Sequence, residues 1–359
     1  MKKINSIFSD LKVIELSSVL AGPAVGLFFS ELGAEVTKIE NKNTKGDVTR
    51  SWKLKSENEK DPNSAYYWSV NTGKKNILLD IKNPLDLKKV YEYIKSADIL
   101  ITNFKTGDDT KLKLDYKTVK KINPKLIYAS ITGFGTNVYR TAYDLILQAE
   151  SGFMFMNGEK NSKPLKMPVA LIDVLASHQL KEAVLIALLN RAKTNSGCHV
   201  SVSLFDTAIA SLANQATNWL IANDLPIANG SLHPNIAPYG EIFITKDKHQ
   251  ITFAIGSNQQ FTELLDILNL QNILSNDKFS TNQLRVKNRE FLFEVLNAKI
   301  KTINFKSIYK NCIANDIPIG KIRNLKEVFE LPMAKKMIKK TIYKNQILHT
   351  VNSVAFEFL

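Results

Sequence analysis

Leu11-Lys12-Val13-Ile14-Glu15-Leu16 opens a segment that runs through Leu20-Ala21-Gly22-Pro23 and an apolar stretch to Phe29. It closes on Leu32-Gly33-Ala34-Glu35-Val36-Thr37-Lys38-Ile39-Glu40. Val13, Ile14 and Leu16 make a β-rich run, Gly22 and Pro23 mark a turn, the next residues read as an apolar helix, and Val36 to Ile39 form a second β-rich run. Strand, small-residue turn, helix and strand within about thirty residues make a βαβ unit. Such a unit sets the turn where the carboxyl end of the first strand meets a helix start, the place where open α/β sheets bind ligands. G-x-G-x-x-G does not follow the strand, and G-x-x-x-x-G-K-[ST] occurs nowhere, so dinucleotide and nucleoside-triphosphate binding lose their main support.

Outward from this unit the alternation continues. Residues 77–80 and 98–102 read as strands around a helix led by Pro84, and 125–131 is a further strand. That order predicts a parallel sheet covered by helices on both faces. A long helix is expected over 173–193, where Leu175, Leu180, Val184 and Leu188 recur near helical spacing, then a strand over 199–204 and a helix over 206–222. The pattern changes near Asp224. Two closely spaced strands, 241–245 and 250–255, flank Lys246-Asp247-Lys248-His249 as a hairpin, and helices over 259–268 and 285–299 follow. The expected domains are 1–223, a large Rossmann-like α/β domain; 224–330, a small α+β domain; and 331–359, a segment returning to the first.

The 359-residue chain is 44% hydrophobic and 23% charged, a balance that supports a large core and excludes disorder. No apolar run reaches the length of a membrane span, and the piece from Val19 to Phe29 follows Asp10 and Glu15 instead of a purely basic leader, so a cytoplasmic location without a membrane is expected. Cys198 and Cys312 are too few and too far apart for a disulfide framework or a metal knuckle. The net charge of +14 would suit a nucleic-acid binder, but the lysines are scattered without interleaved aromatics, so nucleic acid is not the expected partner. A polyanionic small ligand fits the charge better.

The quoted segment, with Gly46-Asp47 after it, resembles the opening of the family III CoA-transferases, whose relatives include formyl-CoA transferase, carnitine CoA-transferase and the α-methylacyl-CoA racemases. Further blocks resemble the family in order: residues 71–82, 97–104 and 123–135, Tyr143-Asp144, Ile172-Asp173, 200–206, His233-Pro234-Asn235 and Pro238-Tyr239. The resemblance spans nearly the whole chain. It implies a Rossmann-like large domain, a smaller α+β domain, an interlocked homodimer, and CoA transfer between an acyl-CoA and a carboxylic acid, with CoA as substrate and no resident cofactor or metal.

Residue by residue, the resemblance makes Asp173 the nucleophile, forming an aspartyl mixed anhydride and then an aspartyl-CoA thioester. By position alone Asp173 opens a helix, where free N–H groups and the helix dipole favour an ionised carboxylate that caps the helix. Leu20 and Ala21 would present backbone to the pantetheine arm. Leu79, Asp80, Ile81 and Lys82, with Asn103, Phe104 and Lys105, would surround adenine and ribose, and Lys111 would meet a CoA phosphate where the family has arginine. Asn41 also replaces a family arginine, with Lys42, Lys74 or Lys75 near enough to compensate. Tyr143 stands where the racemases carry histidine. A phenol, with a pKa of about 10 in water, carries protons poorly at neutral pH, so Tyr143 is read as lining the acyl or pantetheine channel. His178 lies about 500° around the helix from Asp173, roughly 140° off its face, and is expected to be a core histidine or one that supports the site from behind. His233 is read as an ordinary loop residue, with the shaping of a lid as the alternative that the resemblance implies. The altered turn after Gly133-Phe134-Gly135 leaves the acyl group open. An α-methylacyl-CoA racemase and a CoA-binding homologue without catalysis remain the alternatives.

Overall fold

A computed structural model describes residues 6–344 and 346–357. Its chain forms two compact units, one of residues 1–157, 164–226 and 336–359, the other of 158–163 and 227–335.

The first unit is built on six parallel strands: β1 (Lys12–Leu16), β2 (Glu35–Asn41), β3 (Lys75–Leu79), β4 (Ile99–Thr102), β5 (Ile127–Thr132) and β6 (Cys198–Ser203). They lie in the order β3-β2-β1-β4-β5-β6. This is the doubly wound Rossmann order, in which the chain reverses its direction of travel between β1 and β4. The helices are α1 (Ala21–Glu31), α2 (Ala65–Asn71), α3 (Pro84–Lys95), α4 (Asp108–Lys111), α5 (Tyr116–Ile122), α6 (Asp144–Glu150), α7 (Phe153–Met156), α8 (Leu171–Thr194), α9 (Leu204–Ala210) and α10 (Ala213–Ala222). Helix α3 starts where Pro84 has no N–H to lose and the Asn83 side chain accepts from Leu85 N–H and Asp86 N–H.

Strand alternation sorts the core into two layers. Val13, Val36, Ile99 and Ile127 pack under Val25 and Phe29 of α1 and Ala176, Leu180 and Val184 of α8. Ile14, Leu16, Ile39, Leu100 and Tyr128 face Val90 and Ile94 of α3 and Val119 of α5. Burial on both faces explains why β1 reads as a nearly continuous apolar run.

That run contains a charge. Glu15 of β1 is fully buried, with Oε1 2.8 Å from Lys38 Nζ of β2 and Oε2 2.7 Å from Lys74 Nζ, just before β3. Lys38 Nζ also donates to Ser17 O (2.7 Å) and pairs with Asp47 (3.1 Å); Lys74 Nζ donates to Pro23 O (2.8 Å). A Cβ on Gly26 of α1 would collide with the Glu15 carboxylate, so glycine is what lets α1 lie over the pair.

The expected helix over 206–222 is two helices. Ala213 takes a left-handed backbone (φ 48°), which interrupts the i to i−4 ladder between α9 and α10. The segment after 335 forms the hairpin of β7 and β8, here Ile338–Tyr343 and Gln346–Val351, which the sequence reading did not anticipate. It is pinned to α1 by Glu31, whose Oε2 accepts from Ser353 N–H (2.8 Å) and Ser353 Oγ (2.6 Å).

The second unit holds a three-stranded antiparallel sheet of Phe243–Ile244, Gln250–Phe253 and Ile319–Lys321. Phe243, Ile251 and Phe253 pack on Phe261, Leu264 and Leu268 of one helix and Leu292 and Leu296 of another. The first two strands match the expected hairpin; the third joins from far along the chain, which a local pattern cannot show.

Replacing Glu15 by Gln should destabilise the protein by roughly 3–5 kcal/mol, because Lys74 then stays buried without its anion and Lys38 keeps only Asp47. Urea denaturation checks this. A loss below about 1 kcal/mol would mean the ion pairs do not hold the sheet together.

Candidate active site

Register pairs Leu16 of β1 with Thr102 of β4, so the two segments leaving these strands, 17–20 and 103–106, emerge side by side at the point where the winding reverses. They border a cavity of about 1170 Å³. Its other walls come from the end of β2 and the turn after it (Asn41, Gly46, Asp47), the loop carrying Arg50 and Lys53, the segment Arg140 to Tyr143, and Asp173.

The β1–α1 turn is held from three sides. The Asn103 amide clamps Ser18, accepting from its N–H (3.0 Å) and donating to its carbonyl (2.8 Å). Asp47 accepts Val19 N–H at 3.2 Å, while its own charge is met by Lys38. Val19 sits at φ 70°, strained for a β-branched residue and held by these contacts. Gly22 lets α1 begin tightly against the strand end, since a Cβ there would lie 2.5 Å from Ser17 Cβ. No side chain caps α1, so the N–H groups of its first residues, Ala21 and Gly22, lack intrahelical acceptors, and Ala21 lines the cavity.

Asp173 is the third residue of α8 and is only 8% exposed. The sequence reading expected an ionised carboxylate. The structure corrects this: burial first, and then the nearby charge of Asp144, push the Asp173 carboxyl up to about 7. A helix N-terminus contributes at most about 2 kcal/mol toward the charged form, which enclosure beside a second carboxylate outweighs. Asp144 accepts Ile172 N–H (2.7 Å) and Gln148 Nε2–H (2.6 Å). Tyr66 of α2 completes the group: burial and the charges of Asp173, Asp144 and Asp47 raise its phenol to about 12.

The cavity brings together Leu20, Ala21, Ile81, Asn103, Phe104, Lys105, Tyr143 and Asp173. Leu79, Asp80, Lys82 and Lys111 lie outside its lining. Lys111 is exposed and pairs with Asp108 one turn away (3.0 Å). Lys74 is buried on Glu15 and so is not available to replace the missing arginine at Asn41, whose side chain accepts Asn43 N–H (2.9 Å). His178 lies away from the lining, as its rotation predicts, but it is exposed and not the core or supporting histidine that was expected. His233 belongs to the second unit, where its ring packs on Tyr239 (4.9 Å). Sequence reasoning missed Asp47, Arg50 and Tyr66. Gly46-Asp47 was part of the resemblance, and its place after β2 was the one signal for Asp47.

Comparison with known proteins fits this arrangement. Residues 8–357 match the profile of CoA-transferase family III. The succinate–glutarate CoA-transferase of Agrobacterium fabrum is 37% identical over 90% of this chain and 82% of its own. The human succinyl-CoA:glutarate CoA-transferase is 34% identical over 90% and 73%. A CaiB/BaiF family protein of Brucella suis superposes with a TM-score of 0.84 at 34% identity, over 99% of this chain and 93% of that one. The chain belongs to CoA-transferase family III, and it is an enzyme, a CoA-transferase. Enzymes of this family take CoA thioesters as substrates. Among the described residues no helix is long and apolar enough to cross a membrane.

Because folding raises the Asp173 pKa, the neutral form is favoured in the native state, and the associated stability is present below 3.8 and lost as pH rises toward about 7. Asp173→Asn should therefore raise the thermal midpoint, with a gain that grows from pH 4 and levels off above pH 7. Thermal scans across that range test this; a gain independent of pH would contradict the placement of the carboxyl.

Proposed function

We propose that this enzyme moves CoA between an acyl-CoA and a dicarboxylic acid, with Asp173 as the covalent carrier. The observation that carries the reading is a buried carboxyl, basic for its type, in the wall of a large cavity at the switch point of the sheet.

In the sequence of bonds, ionised Asp173 attacks the thioester carbonyl, the C–S bond breaks, and CoA thiolate leaves behind an acyl-aspartyl anhydride. The thiolate then attacks the aspartyl carbonyl, expelling the donor as its carboxylate and leaving an aspartyl-CoA thioester. An acceptor carboxylate attacks that thioester, and the returning thiolate takes the new acyl group, restoring Asp173. Uncapped N–H groups at the start of α1 are suited to the oxyanions formed on the way. Leu20 and Ala21 line the pantetheine path, and Ile81, Asn103, Phe104 and Lys105 the nucleotide end. Asn103 acts there by clamping Ser18, its amide being committed to that backbone.

A dicarboxylic acceptor is supported by the acids in the relatives' names, succinate and glutarate. Tyr143, at the head of α6 and 57% exposed, borders the acyl end. With tyrosine in the histidine position, α-proton exchange is not part of this reading. The interlocked homodimer that the family resemblance implies belongs to the proposal as well.

Incubation with succinyl-CoA followed by hydroxylamine should leave a hydroxamate on the peptide containing Asp173, seen by mass spectrometry, and Asp173→Ala should lower transfer to glutarate by at least about a thousandfold. Transfer by Asp173→Ala at a near wild-type rate would remove Asp173 from the mechanism. The acid limb of kcat/KM should fall near pH 7, since the nucleophile is the ionised form. A limb near pH 4 would contradict that.

A further inference from the structure

Helix α8 begins without a cap of its own. Ala170, at the N-cap position, has no side-chain acceptor, yet the N–H of Ile172 is satisfied: the Asp144 carboxylate of α6 reaches across to accept it at 2.7 Å. Asp144 is the first residue of α6, and Tyr143 before it makes no capping bond either. The carboxylate therefore serves the neighbouring helix. Its second oxygen accepts from Gln148 Nε2 at 2.6 Å; Gln148 is fully buried and its Oε1 accepts Met167 N–H at 2.8 Å, in the segment that leads into α8. One carboxylate thus ties α6, the approach to α8 and the first turn of α8 together, one residue before Asp173.

We propose that Asp144 is a positioning residue for Asp173: it fixes the first turn of α8 through Ile172 N–H and keeps a second negative charge beside the buried nucleophile. The proposal rests on the reading of Asp173 as nucleophile. Both Asp144 oxygens are met by N–H donors, so the charge is held in place by hydrogen bonds and two helix N-termini while still acting on Asp173. The other ionisable groups nearby are differently engaged. Asp47 pairs with Lys38, Arg140 pairs with Glu150, Tyr66 and Tyr143 are phenols, and His178 and Lys181 lie further along α8, Lys181 near Glu31. A carboxylate kept basic in this way is a stronger nucleophile once ionised, at the cost of being protonated over more of the acid range.

The test is the titration of Asp173 itself, followed by the 13C shift of its carboxyl in protein carrying 13C-labelled aspartate and assigned by its loss in Asp173→Asn. In Asp144→Asn the side-chain oxygen can still accept Ile172 N–H, but the charge is gone. The midpoint should fall by about one pH unit or more, and the acid limb of kcat/KM should move with it. Gln148→Met, which breaks a hydrogen bond but leaves the charge, should keep the midpoint within a few tenths of wild type. Asp144→Ser, whose hydroxyl can also cap Ile172 N–H, repeats the measurement should the asparagine loosen the helix. An unmoved midpoint in both Asp144 variants refutes the role of Asp144. A midpoint that moves while the acid limb of transfer does not would instead remove Asp173 from the chemistry, and the proposal with it.

Discussion

Glu15 is the constraint from which the rest follows. A carboxylate in the middle of the central strand, shared by Lys38 and Lys74, joins β1 to β2 and to the approach to β3 through charges enclosed in the core. Such groups are costly to bury and are tolerated because each is answered: burial alone would raise the Glu15 pKa, but the two lysines reverse the direction and lower it. Lys38 is raised by its carboxylates, whereas burial wins at Lys74 and brings it down to about 8. The network does not stop at the sheet. Lys38 carries on to Ser17 O and Asp47, and Asp47 to Val19 N–H, so the ions that bind strands together also set the turn at the mouth of the cavity.

The doubly wound sheet was legible in the sequence because β1, β4 and β5 are largely apolar runs of strand length and a crossover helix start such as Asn83-Pro84 can be recognised. The cavity could be anticipated for the same reason, from the turn after β1. What the sequence hid depends on contacts between distant segments. Glu15 looks like an ordinary polar break in an apolar run, and Lys74 like a surface lysine able to meet phosphate. The hairpin after residue 335 pairs two strands close in sequence, but its place is set by Glu31 more than three hundred residues earlier. The protonation of Asp173 was misread because helix position argues for a charge, whereas enclosure and Asp144, which argue against it, exist only in the folded chain.

A basic, buried carboxylate is unfavourable for folding and favourable for attack on a thioester. That opposition is expected of sites selected for reactivity over stability. Here the same helix serves both ends: α8 packs its apolar face on the sheet through Ala176, Leu180 and Val184, and its first turn presents Asp173 to the cavity. Asp173 is buried there, with the charge of Asp144 and the phenol of Tyr66 close enough to act on it.

The central claim, that CoA passes through Asp173, can be read from the fate of oxygen. If the acceptor attacks an aspartyl thioester and is then released as a thioester, one of its two carboxylate oxygens is left on Asp173. With a dicarboxylic acceptor labelled in its carboxylates with 18O, turnover should place one label in the Asp173 side chain, a gain of about 2 Da on the peptide that contains it. The product thioester should keep the other. Full transfer with no label on Asp173 would mean that the acyl groups exchange without passing through this carboxylate, and would contradict the account.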